Sequence, residues 1–159
     1  MTPPDRYRRS TMSDAPSHPE YRLALGYLPM AMRAPLATLF ALDERFAGIV
    51  ARTTEPMIGL MRLVWWRDAL AALESGPPPA EPLLVAAADI VARGIAAADL
   101  AAMVEGWEAL IDDPELGADT VDLHACARGA GLFDIAGALL SARGADRARL
   151  AFAGEGWAR

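Results

Sequence analysis

Lysine, asparagine and glutamine are absent from this chain, and all 15 of its basic residues are arginine. With alanine so abundant, we read this as a coding bias that carries no functional signal. Cys126 is the single cysteine, which excludes an intramolecular disulfide and suits a reducing cytosol. The only histidines, His18 and His124, do not combine with it into a metal site of His/Cys type, so no metal ligands are assigned. β-Branched residues are sparse and no Asn-Gly hairpin signal occurs, so strands are not expected. Charged residues interrupt every apolar stretch before the roughly 18 to 20 residues that a membrane span needs. Net charge is −6, and no arginine-dense face is interleaved with aromatics, which argues against nucleic acid. Arg6, Arg8 and Arg9 are followed by no apolar core of a secretory signal. A cytoplasmic protein is expected, with contact at a membrane surface open and a membrane span excluded.

What is present is apolar and helix-forming. The 159 residues are 53% hydrophobic, enough for one domain or a large piece of one. Residues 1–19 are expected to be a disordered leader, with Met12 an alternative start, and residues 20–159 to be helical throughout. The spacing predicts a helix from about Met30 to Arg52, provided that Pro35 sits in its opening turn. Thr54-Glu55-Pro56 starts a second, running to about Leu73, apolar around most of its circumference and therefore expected to be buried on all sides. Pro82 to Arg93, Ala98 to Asp112, Asp119 to Arg143 and Asp146 to Trp157 complete the series. Within the fifth, Gly129-Ala130-Gly131 permits close approach of a neighbour or a ligand.

No catalytic set assembles from these residues. No G-x-S-x-G is present, and His124 and Cys126, two apart on a helix, point to different faces. Asp119 and Asp122 share a face, but a cap and a solvated acid of the first turn account for them. Asp43 falls inside an apolar stripe, where an unpaired carboxylate is costly, so an ion pair with Arg62 or Arg67 is expected. Trp65 and Trp66 are expected in the core, although aromatics also line apolar pockets.

From Leu39 to Leu70 the chain reads LFALDERFAGIVARTTEPMIGLMRLVWWRDAL. This run resembles the squalene/phytoene synthase family, most specifically at Arg62-Leu63-x-Trp65-Trp66-Arg67-Asp68-Ala69-Leu70. Leu28-Pro29-x-x-x-Arg33 looks like the approach to that family's first long helix, and Ala125 to Gly131 resembles its small-residue segment. The likeness covers residues 20–158 and implies the N-terminal half of a typical member. It implies an all-α isoprenoid-synthase-like bundle, incomplete here, of about six to seven helices. Enzymes of the family bind two prenyl diphosphates through Mg²⁺ on two aspartate-rich motifs and join the chains head to head.

Where the first aspartate cluster is expected, this sequence reads Ala47-Gly48-Ile49-Val50-Ala51, with no acid. Cys126 stands where relatives carry a tyrosine, and the acid expected near Ala109 or Leu110 is missing. The second motif would lie past residue 159. The resemblance therefore implies a degenerate member at Ala47, Gly48 and Ala51, acting as a prenyl-lipid-binding or scaffold protein. Arg33, Phe40, Asp43, Arg62, Trp65, Trp66, Gly129 and Gly131 are its candidate pocket residues, and a prenyl diphosphate, another apolar ligand or a protein is its candidate partner. Two alternatives stand beside it. One is an active head-to-head transferase recruiting Mg²⁺ through Asp43 and Glu44, the only reading that calls for a cofactor. The other is a helper like those family members that assist assembly of respiratory complex I. A bare helical fragment would expose apolar surface and self-associate or bind a hydrophobic dye.

Overall fold

The computed structural model describes residues 17–113 and 115–159, so the expected leader falls outside the described residues up to position 16. Ser17 and His18 are held in place, their backbone N–H groups donating to the Glu44 carboxylate at 2.8 and 2.7 Å. All regular structure among the described residues is helical, as expected.

Helix α1 (Pro19–Tyr27) has no counterpart in the sequence reading. Proline at its first position and Glu20 in its first turn favour a start there. Arg33 closes its other end, donating to the carbonyls of Leu28 at 3.0 Å and Gly26 at 3.3 Å. Helix α2 (Met30–Arg52) spans the predicted residues, but Pro35 lies inside it rather than in the opening turn. A proline there forfeits one backbone hydrogen bond. Its ring is buried in the core, which offsets part of that loss.

Helix α3 (Pro56–Ala71) runs into a short 3₁₀ turn, Ala72–Glu74. The carboxylate of Glu74 accepts from the N–H of Ala97 at 2.8 Å and so caps α5 from across a loop. Helices α4 (Pro82–Ala92) and α5 (Ala97–Asp112) follow, separated by Gly94 at φ +93°. The predicted fifth helix is divided. It begins as α6 (Ala118–His124), widens into a π-helical segment over Ala125–Ala130 and continues as α7 (Gly131–Leu139). It stops four residues short of Arg143, because Ser141 at φ +65° and Gly144 at φ +55° turn the chain back into α8 (Ala145–Ala158). Together, α1 and this division account for the elements beyond those expected.

One apolar core joins these helices. It takes Leu36, Leu39, Leu42 and Phe46 from α2, Leu63, Trp66 and Leu70 from α3, and Leu84 and Ile90 from α4. Leu100, Met103, Val104 and Trp107 of α5 and Leu132 and Ile135 of α7 complete it. Helix α3 packs chiefly on α5, and α8 packs on the π-helical segment and α7. The last contact needs two glycines. A methyl group on Gly129 would overlap the Gly154 carbonyl, and one on Gly154 would overlap that of Gly129. Helix α3 departs from its expected all-round burial, since Met57, Ile58, Met61 and Trp65 face outward. Only the face with Leu63, Trp66 and Leu70 meets a neighbouring helix, and composition cannot tell which face that is.

Candidate functional site

Asp43 lies at the centre of the molecule, 1% exposed. Arg128, from the π-helical segment, donates to it in a two-pronged pair, Nε to Oδ1 at 2.8 Å and Nη2 to Oδ2 at 2.9 Å. The Tyr21 hydroxyl donates to Oδ2 at 2.6 Å. The guanidinium is stacked between Trp107 and Trp157, with its carbon 4.6 and 4.4 Å from their ring centroids. Burial acts to lower the Arg128 pKa, but the hydrogen bonds and charge of Asp43 outweigh it and hold the group above its ordinary value. Burial, then the Asp43 charge, pushes the Tyr21 hydroxyl far above the usual tyrosine range. The Tyr21 hydroxyl therefore stays protonated and the Arg128 guanidinium stays charged, and the cluster ties α1, α2 and the π-helical segment together. The ion pair expected of Asp43 is present, but with Arg128 in place of Arg62 or Arg67. Arg67 is occupied elsewhere, paired with Glu108 of α5 at 2.6 Å.

The same helix α2 borders two cavities. The first is a groove of about 370 Å³ between α2 and α3, lined by Arg45, Gly48, Ile49, Arg52, Arg62, Trp65 and Trp66. The Arg52 Nε donates to the Gly48 carbonyl at 3.0 Å. Arg45 sits over the Trp66 ring at 5.4 Å and 3.7 Å from Glu81. The second, of about 440 Å³, opens between α1, α2, α7 and α8 and is lined mainly by Tyr21, Phe40, Leu132, Phe133, Leu140, Leu150 and Trp157. Its wall is almost wholly apolar and its volume lies in the ordinary range of ligand pockets, roughly 300–1,000 Å³.

The eight candidate pocket residues do not form one site. Arg62, Trp65 and Trp66 meet in the arginine-lined groove, with Trp65 48% exposed and Trp66 buried in the core. Phe40 lines the apolar cavity. Arg33 caps α1, Asp43 is engaged by Arg128, Gly129 meets Gly154, and Gly131 abuts Met103. His124 is buried with Nδ1 2.9 Å from the Gly106 carbonyl, a contact in which the ring nitrogen donates, whereas Cys126 is exposed. Asp119 is an acid in the first turn of α6 and not its cap, a position taken by Gly117, and Asp122 pairs with Arg159 at 2.6 Å. The sequence reading missed Arg45, Arg52, Arg128 and Tyr21. A signal for Arg128 was present, as a lone cation in an Ala/Gly stretch marked for close packing.

The geometry thus defines an all-α scaffold with an arginine-lined groove on one side of its long helix and an apolar cavity on another. The squalene/phytoene synthase family model matches residues 16–133. The chain belongs to that family. No curated protein and no solved structure matches it.

The Mg²⁺ used by enzymes of this family finds no fitting donors on α2. Ala47, Gly48 and Ala51 present methyl groups or hydrogen, and the nearby groove is lined by guanidinium groups that would repel a cation. Asp43 gives both oxygens to Arg128 and Tyr21, and Glu44 gives both of its own to the Ser17–His18 backbone. Among the described residues no three His, Cys, Asp or Glu side chains stand close enough to share a metal ion. No described helix is long and apolar enough to cross a membrane.

Proposed function

We propose that this squalene/phytoene synthase family chain is catalytically silent and serves as a helical scaffold holding an apolar, prenyl-type ligand in the cavity beside Phe40. One observation carries the reading: the α2 surface at the expected aspartate motif offers no oxygen donor, and both acids that could substitute are consumed by structural contacts. Without a divalent metal ion to hold and activate it, diphosphate is a poor leaving group, and the head-to-head condensation loses its first step. The apolar cavity supports retention of a ligand-binding role, since Phe40, Phe133 and Trp157 surround a space of ligand size.

The test is product analysis of the longest natural form with farnesyl and geranylgeranyl diphosphate in the presence of Mg²⁺. No head-to-head product is expected. Any such product overturns the reading and restores the transferase alternative.

A further inference from the structure

The groove between α2 and α3 has the opposite charge to a metal-bridged phosphate site. In such a site acids hold a cation, and the cation holds the phosphate. Here fixed cations occupy the walls, and no carboxylate lines the groove. We propose that this groove binds a phosphate or diphosphate group directly on Arg45, Arg52 and Arg62, with no divalent cation between protein and ligand.

Each arginine is placed by a separate feature. Gly48 has no side chain, so the Arg52 guanidinium folds back over α2 into the space a methyl group would fill. The bond from its Nε to the Gly48 carbonyl fixes the stem and leaves the terminal nitrogens for a ligand. Arg62 reaches the groove from α3 and has no hydrogen bond or ion pair among the described residues. Arg45 stacks on Trp66 and touches Glu81 only at 3.7 Å, which leaves most of its donors uncommitted. Planar guanidinium groups match phosphate oxygens two at a time, and an aromatic floor holds them in place. The overall charge of −6 does not oppose this at contact range, because other charges more than about 8 Å away are screened at physiological salt. Gly48, which removes an acid from the expected motif, is thus also the residue that admits a cation.

The inference rests on the family reading only in taking the aspartate motif as lost, and it reverses the effect of magnesium. Mg²⁺ strengthens a metal-bridged site. Here it would weaken binding, because a magnesium-loaded diphosphate carries less negative charge to the arginines.

The experiment is calorimetric titration of the whole chain with inorganic pyrophosphate in EDTA, then in millimolar Mg²⁺, with tryptophan fluorescence as a second readout through Trp65. Saturable binding in EDTA that falls severalfold with Mg²⁺ is expected. Arg52→Gln and Arg62→Gln should each weaken it by about tenfold. Arg149→Gln, on exposed α8 surface and paired among the described residues with Asp146, should leave it unchanged. Parallel arms use farnesyl diphosphate and vesicles of phosphatidic acid or phosphatidylcholine. Capture by phosphatidic acid vesicles, sensitive to the same two variants, assigns the phosphate to a lipid headgroup, and binding of the soluble compounds assigns it to a free ester.

Binding that requires Mg²⁺, an equal loss in Arg149→Gln, or no binding to either source overturns the inference. The last result leaves the silent-scaffold reading intact, whereas formation of a condensation product sinks that reading however the anion is held.

Discussion

Replacing Arg128 by leucine leaves the Asp43 carboxylate inside the core with only the Tyr21 hydroxyl as partner. Removing one member of a buried ion pair costs about 3–5 kcal/mol, mainly because the remaining charge is stranded without water. Stacking on Trp107 and Trp157 is lost as well, so about 4 kcal/mol is a fair expectation. For a chain of this size that lowers Tm by roughly 12 °C. Thermal unfolding followed by far-ultraviolet circular dichroism measures it. A combined variant, Arg128→Leu with Asp43→Leu and Tyr21→Phe, removes every polar member together and should regain most of the loss, because no unpaired charge remains. The reasoning fails if Arg128→Leu stays within about 1 kcal/mol of the parent, or if the combined variant is less stable than Arg128→Leu alone.

Two further outcomes follow from the packing. Gly154→Ala should cost at least about 2 kcal/mol, since the new methyl group meets backbone and one helix must shift, whereas Gly156→Ala, with open space around it, should be neutral or slightly stabilising in the same melts. Burial holds the His124 imidazole below the ordinary histidine value of 6.5, and of the weaker influences the Gly106 carbonyl and Asp43 act to raise it while Arg128 acts to lower it. The unfolded chain therefore binds the extra proton more readily, so this contribution is fully present above 6.5 and is lost as pH falls through the depressed folded value. Tm should drop as pH falls below about 6.5, and His124→Phe should flatten that slope; an unchanged slope in the variant would refute the assignment.

Helix positions were legible where periodicity and stop signals agreed. Met30–Arg52 and the helix begun by Pro56 came from the 3.6-residue recurrence of Leu, Phe and Trp and from proline at a first turn. Helix α1 was missed because nine residues are too few for a period to show, and its lone buried side chain, Tyr21, is meaningful only beside Asp43. The π-helical segment was illegible for another reason. The segment packs against α5 and α8, contacts between residues far apart in the chain that no local pattern in Ala125–Ala130 announces.

The site divides in the same way. The amino-acid sequence alone settled that α2 carries Ala47, Gly48 and Ala51 where acids were expected, that Asp43 needed a cation, and that the chain folds as helices. Which cation serves Asp43 depended on a contact 85 residues away along the chain. The meeting of Arg45, Arg52 and Arg62 likewise depended on how α2 and α3 lie against each other. Composition and spacing are properties of a segment and persist in an isolated helix. Partner choice is set by long-range packing, where the close approach of Gly129 to Gly154 brings α8 and Trp157 against Arg128 and so closes the ring of contacts around a buried charge.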